Sequence, residues 1–145
     1  MINIDTQGDL PSDIAPKQIQ VMANLILTSE APRTDYEISL ICADEAEMRR
    51  INKLYRGVNA NTDVLSFEGE CLKLGNRETR FCDIVIDTKQ VFKQKGTNTY
   101  REEFWHVLIH ALLHLAGYDH IRTKDKEKME DAEDNYRKQI PEGLL

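Results

Sequence analysis

The chain has 145 residues, 41% hydrophobic and 30% charged, with a net charge of −6. That length suits one domain whose core needs no disulfide staples, and no apolar run approaches transmembrane length. The acidic balance counts against a surface coated in cations for nucleic acid, although a local basic groove needs only a few well-placed side chains.

In chain order, the opening MINIDTQGDL has neither a basic n-region nor an apolar h-region, so no signal peptide is read and the cytoplasm is expected. Ile2 to Ile4 reads as a short first strand. Pro16 suits the first turn of a helix, and Ile19, Met22, Ala23 and Ile26 recur at helical spacing to about Ser29 before Pro32 stops it. YEISLIC, Tyr36 to Cys42, predicts a strand. Asp44 and Glu47 have cap and N3 spacing. They open a helix with Met48, Ile51 and Leu54 (or Tyr55) as its inner face, Arg49, Arg50 and Lys53 on its other faces, and Arg56 at its end. After a loop over 57–61, TDVLSF (Thr62 to Phe67) predicts a third strand. The polar stretch 68–80 is expected as a mobile loop or an extended hairpin tip. FCDIVI, Phe81 to Ile86, is a fourth strand, and Asp87 with Gln90 caps a third helix that runs to about Lys95 and closes at Gly96.

Thr99 and Glu102 have capping-box spacing and open a helix over roughly 99–116, apolar almost all round from Phe104 to Ala116, as expected of the buried centre of a domain. A last helix spans roughly Thr123 to Gln139, with Met129, Ala132 and Tyr136 facing inward and Pro141 ending it. The order β-α-β-α-β-β-α-α-α predicts an α/β (α+β) fold: a single domain over 1–145, with one mixed sheet of about four strands packed by about five helices and the histidine-bearing helix at its centre. The three cysteines, Cys42, Cys71 and Cys82, form no C-x-x-C and are read as buried thiols.

All four histidines fall within residues 106 to 120, HVLIHALLHLAGYDH. His106, His110 and His114 are spaced by four, so they share one helix face. Two imidazoles at that spacing can share an ion, but three cannot, because positions 106 and 114 are about 12 Å apart along the axis. Gly117 reads as the residue that ends the helix and turns the chain, bringing His120 back toward it. His110, His114 and His120 then form H-x-x-x-H-x-x-x-x-x-H, three nitrogens that leave the open position of a catalytic zinc site, with His106 as a core or supporting residue. The competing reading is of ordinary histidines on a buried helix.

A metal there would lower the pKa of a bound water and act as a Lewis acid, and both uses point to hydrolysis. Zinc peptidases use H-E-x-x-H, with the glutamate as general base. Here that place is Ala111, with Asp119 and Glu103 as the nearest carboxylates in sequence. Phosphodiester hydrolysis makes a different demand, a cation aimed at the charge that builds up on phosphoryl oxygens. The planar fork of arginine meets it, and Arg56 is the candidate. Asp119 either orients an imidazole or satisfies the turn.

The two motifs together, Y-R-x-x-x-x-x-T-D-V-L-S-F from Tyr55 to Phe67 and H-x-x-L-H-L-x-G-Y-D-H from His110 to His120, resemble the YbeY-type endoribonucleases, or rRNA maturation factors. Asn52 fits the lead-in to the first motif, and Asp83 to Ile86 fits the strand between them. The resemblance implies a hydrolase of single-stranded RNA acting in maturation of the 3′ end of small-subunit rRNA and in ribosome quality control. It implies one zinc ion per chain held by His110, His114 and His120, an active-site arginine at Arg56, and partners among rRNA and the small subunit or its proteins; by ligand type alone, three imidazoles also suit another divalent transition metal. No DNA substrate and no membrane are expected. Two positions depart from the family pattern, which usually has glycine where this chain has Ala111 and Cys82. A methyl at 111 is expected to narrow close approach near the metal and alter activity. The alternatives are a zinc metallopeptidase-like hydrolase, against which Ala111 argues, and a non-catalytic ribosome-assembly module with a structural metal, for which His106 would be the fourth ligand to suspect.

Overall fold

The computed structural model describes residues 1–118 and 122–140. Four strands, β1 (Ile2–Gln7), β2 (Thr34–Ala43), β3 (Val64–Leu74) and β4 (Arg77–Asp87), form a sheet in the order β1-β2-β4-β3. β1 runs parallel to β2 and β2 parallel to β4, whereas β3 pairs antiparallel with β4, so the sheet is mixed. Five helices accompany it: α1 (Pro16–Glu30), α2 (Glu45–Arg56), α3 (Thr88–Gln94), α4 (Tyr100–Leu115) and α5 (Thr123–Arg137). Among the described residues no helix is long and apolar enough to cross a membrane.

Strand alternation assigns the two faces. Ile84 and Ile86 of β4 join Ile38 and Leu40 of β2 in the main core with α1 and α4. Val85, between them, faces the other way and packs with Leu65 against Met48 and Ile51 of α2. α4 lies between the sheet and α5, with Phe104, Leu108, Ile109, Ala111, Leu112 and Leu113 all at 0% exposure. From Phe104 to Leu115, α4 is buried on most of its circumference, leaving only the half-buried line of His106, His110 and His114, so its apolar residues spread well beyond a single stripe.

Three caps behave as their spacing predicts. The carboxylate of Asp44 accepts from the Glu47 amide at 2.8 Å and that of Asp87 from the Gln90 amide at 3.2 Å, while Thr99 and Glu102 form a reciprocal capping box. The stretch 68–80 is the extended hairpin, not a loop: β3 and β4 continue to Leu74 and Arg77, interrupted by a bulge between Glu68 and Cys71. Gly75, at φ 64, leads the two-residue turn, the backbone that such hairpins require. The outer hairpin buries no face, so its sequence shows no apolar alternation. Its side chains are linked instead by Arg80, which reaches Glu78 at 2.8 Å and Glu68 at 3.5 Å. Cys71 sits on this exposed part and is not a buried thiol; Cys82 is buried and Cys42 half-buried, and desolvation pushes both of those thiols up to about 11.

Candidate metal and phosphate site

The end of α4 is fixed with care. Gly117, at φ 109, makes the left-handed turn expected of it. Its amide donates to the His114 carbonyl at 3.0 Å and the Tyr118 amide to the Leu113 carbonyl at 3.0 Å, the paired bonds of a Schellman motif. Three tyrosines secure the same region. The Tyr36 hydroxyl donates to the Leu115 carbonyl at 3.0 Å, and the Tyr118 and Tyr136 hydroxyls both donate to Glu30, at 2.9 and 2.7 Å. Burial, reinforced by the Glu30 carboxylate, raises the pKa of both Tyr118 and Tyr136, so these phenols stay protonated donors. Tyr118 thus ties the exit from α4 to the end of α1.

One turn inside that anchor, His110 and His114 bring their Nε2 atoms to 3.1 Å, with the rings edge to face at 78°. The other ring nitrogen of His110, Nδ1, lies 2.5 Å from Oε1 of Glu133 on α5. Glu133 is only 7% exposed and stands between Met129 and Tyr136 on the buried face of its helix. A carboxylate can only accept, so Nδ1 donates to Glu133, and in the neutral ring that places the lone pair on Nε2. Two ligands of tetrahedral zinc bonded at 2.0–2.1 Å lie about 3.3 Å from each other, so the Nε2 pair fits one edge of such a polyhedron. A metal-binding histidine whose second nitrogen donates to a carboxylate is the usual supporting arrangement. Among the described residues no three His, Cys, Asp or Glu side chains converge as a metal-binding group. His110 and His114 make two, and the expected third member, His120, lies outside the described residues, as does Asp119.

Both histidines open into a cavity of about 380 Å³ that Arg56, Val64, Ser66, Glu68 and Leu115 also line. Arg56 arrives from the other side of the chain. It is the last residue of α2, which Gly57 closes at φ 69 with its amide on the Lys53 carbonyl at 3.0 Å. Asn52, buried on the same helix, donates from Nδ2 to the Ala60 carbonyl at 2.9 Å and holds the loop that follows. The inner face of α2 is therefore Met48, Ile51 and Asn52. The expected Leu54 (or Tyr55) does not complete it: the two are 65% and 67% exposed, and Tyr55 meets β3 at the Phe67 ring.

Neither departure, Ala111 or Cys82, lines this cavity, and nor does His106. Ala111 is fully buried in the core cluster, so its methyl packs there and does not narrow the approach to the histidines. His106 is half-buried one turn earlier, with Nδ1 enclosed and without a hydrogen-bond partner among the described residues, and does not line the cavity. Glu133 escaped the sequence reading, which named Met129, Ala132 and Tyr136 as the inner face of α5. Its signal was an acidic residue at helical spacing between Met129 and Tyr136, hidden in a helix rich in acidic and basic residues.

The sequence profile of the family described as Endoribonuclease YbeY matches residues 2–141. The chain belongs to the endoribonuclease YbeY family. A member from Petrotoga mobilis is 36% identical over 142 residues, covering 96% of this chain and 94% of the relative. One from Neisseria meningitidis serogroup B is 42% identical over 112 residues, covering 74% of this chain and 65% of the relative. The solution structure of TM1509 from Thermotoga maritima aligns with a TM-score of 0.64 at 25% identity, over 97% of this chain and 89% of that one. Family membership makes the chain an endoribonuclease, a hydrolase with RNA as its substrate, and sets aside the peptidase alternative that the three-histidine spacing had left open.

Proposed function

We propose that residues 1–145 form one metal-dependent hydrolase domain that cuts single-stranded RNA in the cytoplasm, in maturation of the 3′ end of small-subunit rRNA and in ribosome quality control. On this reading His110, His114 and His120 hold one zinc ion per chain, Arg56 binds the scissile phosphate, and the small subunit presents the substrate. The observation that carries the proposal is the shared cavity, in which an arginine from the end of α2 faces the Nε2 pair of α4. Basic and imidazole groups from separate elements meet there, and RNA hydrolysis uses both.

When bound, the ion supplies Lewis acidity and lowers the pKa of a water ligand toward neutrality. The protein's part is positioning. Glu133 holds Nδ1 of His110 so that Nε2 keeps its lone pair turned toward the cavity. The Schellman turn and the Tyr118–Glu30 bond fix where the chain leaves α4 toward His120. Arg56 offers two parallel N–H groups to non-bridging phosphate oxygens, and its charge counts most when negative charge builds up on them.

The test is paired. Purified protein is assayed for bound metal by elemental analysis, and the same sample is incubated with single-stranded rRNA fragments before and after chelation. About one metal per chain with chelator-sensitive cleavage is the expected result; metal with no cleavage on free RNA or on small subunits would transfer the reading to a non-catalytic assembly module. A second expectation concerns Glu133. Glu133→Ala removes the acceptor of Nδ1 and should weaken metal binding roughly 10- to 100-fold, while Glu133→Gln, whose amide oxygen still accepts but carries no charge, should fall between Glu133→Ala and wild type. Competition against a chromogenic chelator measures this, and unchanged metal affinity would show that His110 needs no such support.

A further inference from the structure

Around the edge strand β3 from the catalytic cavity, on the α2 face of the sheet, lies a second, more apolar one of about 430 Å³, between the end of α2 and β3 and β4. Ile51, Tyr55, Phe67 and Val85 supply its apolar walls, with Arg50 and Asp83 among its charged residues. The two cavities are continuous in their lining: Glu68 borders both, and Arg56, which borders the first, holds its guanidinium 5.9 Å from the centroid of the Phe67 ring in the second. Tyr55 and Phe67 pack as a tilted pair with centroids 5.2 Å apart and an interplanar angle of 49°. Tyr55 is 67% exposed, so one face of its ring stays open on a helix end that is otherwise strongly charged.

An exposed tyrosine backed by a phenylalanine and an arginine is costly to leave in water but suits a flat, partly polar ligand. We infer that Tyr55 and Phe67 form a stacking site for a nucleobase next to the phosphate at Arg56, which gives the enzyme its grip on unpaired RNA. This inference rests on the RNA-cleaving reading of the adjoining cavity. Charge divides the work between the cavities. Glu47 and Asp83 line only the apolar one, where they outnumber Arg50 and would repel a phosphate, yet they accept hydrogen bonds from the N–H groups of a base edge, as carboxylates do from cytosine N4. The phosphate is left to Arg56 and the base to the aromatic pair. A base in a duplex has its faces covered by neighbours and cannot enter, so the site selects single strands without reading sequence closely.

The experiment measures binding of metal-loaded protein to a labelled single-stranded oligoribonucleotide by fluorescence anisotropy, read before cleavage proceeds, with each position in turn replaced by an abasic unit. Stacking on aromatic side chains is worth enough per base that one or two abasic positions should weaken wild-type binding roughly 5- to 100-fold. Tyr55→Ala should bind the intact strand as weakly as wild type binds the abasic one and lose the positional penalty, while Tyr55→Phe retains both. The salt dependence of Tyr55→Ala should match wild type, since no phosphate contact has been removed. Tyr55→Ala with wild-type affinity and an unchanged abasic profile would overturn the stacking site and leave the nuclease reading standing. Wild-type protein that fails to bind single-stranded RNA would overturn both.

Discussion

His114→Ala is expected to lose its metal and its RNA cleavage together while remaining folded. The side chain points into the cavity and not into the core: it is half-buried, and its Nε2 faces Nε2 of His110 at 3.1 Å. Alanine is the best helix former, so the exchange costs α4 little, and Leu112 and Leu113, which do fill the core, are untouched. Metal affinity should fall by more than the roughly 10- to 100-fold typical of a lost supporting partner, because a direct ligand is removed. Elemental analysis, a thermal melt with chelator present and a cleavage assay on one preparation check the three parts. A variant that kept about one metal per chain and full cleavage would remove His114 from the site.

Much of this site could be read from the sequence because its logic is local. Helical periodicity puts His110 and His114 on one face whatever surrounds them, and the glycine at 117 forecasts the turn that the Schellman bonds make. Caps are equally local, and Asp44, Asp87 and Thr99 each hold the amide three residues on. What escaped depends on packing between distant elements. Glu133 reaches His110 across 23 positions, and only the seating of α5 on α4 makes that one carboxylate differ from its acidic neighbours. Leu54 (or Tyr55) continues the apolar spacing of α2, so periodicity placed it inside, yet both are exposed and the polar Asn52 is buried in their stead, held by the Ala60 carbonyl of the following loop. The outer hairpin reads equally as a loop for the opposite reason: with neither face buried it has no apolar pattern to display, and backbone pairing with the Arg80 ion pairs carries it.

Arg56→Ala should cut RNA cleavage roughly 100- to 1,000-fold, about 2.7–4 kcal/mol in the transition state, which is the scale of removing one well-aimed donor from a site of developing negative charge. The loss should appear mainly in kcat, since charge on the phosphoryl oxygens is greater in the transition state than in bound RNA. Metal content should not change, because a guanidinium has no lone pair to offer an ion. Stability should hardly change either. Arg56 is exposed at the C-terminal end of α2, where a cation is worth about 0.3–1 kcal/mol through the helix dipole, and its contact with Phe67 is of similar size. Arg56→Lys separates charge from geometry: it restores the cation but not the planar fork that takes two oxygens at once, so only partial recovery is expected. The slope of binding affinity against salt should fall by about one phosphate contact in Arg56→Ala, unlike Tyr55→Ala. Unchanged cleavage in Arg56→Ala would move the phosphate-binding role to another residue. A loss of cleavage accompanied by loss of metal would instead mean that the end of α2 supports the histidine pair, and that the cavity joining them is one structural unit and not two cooperating parts.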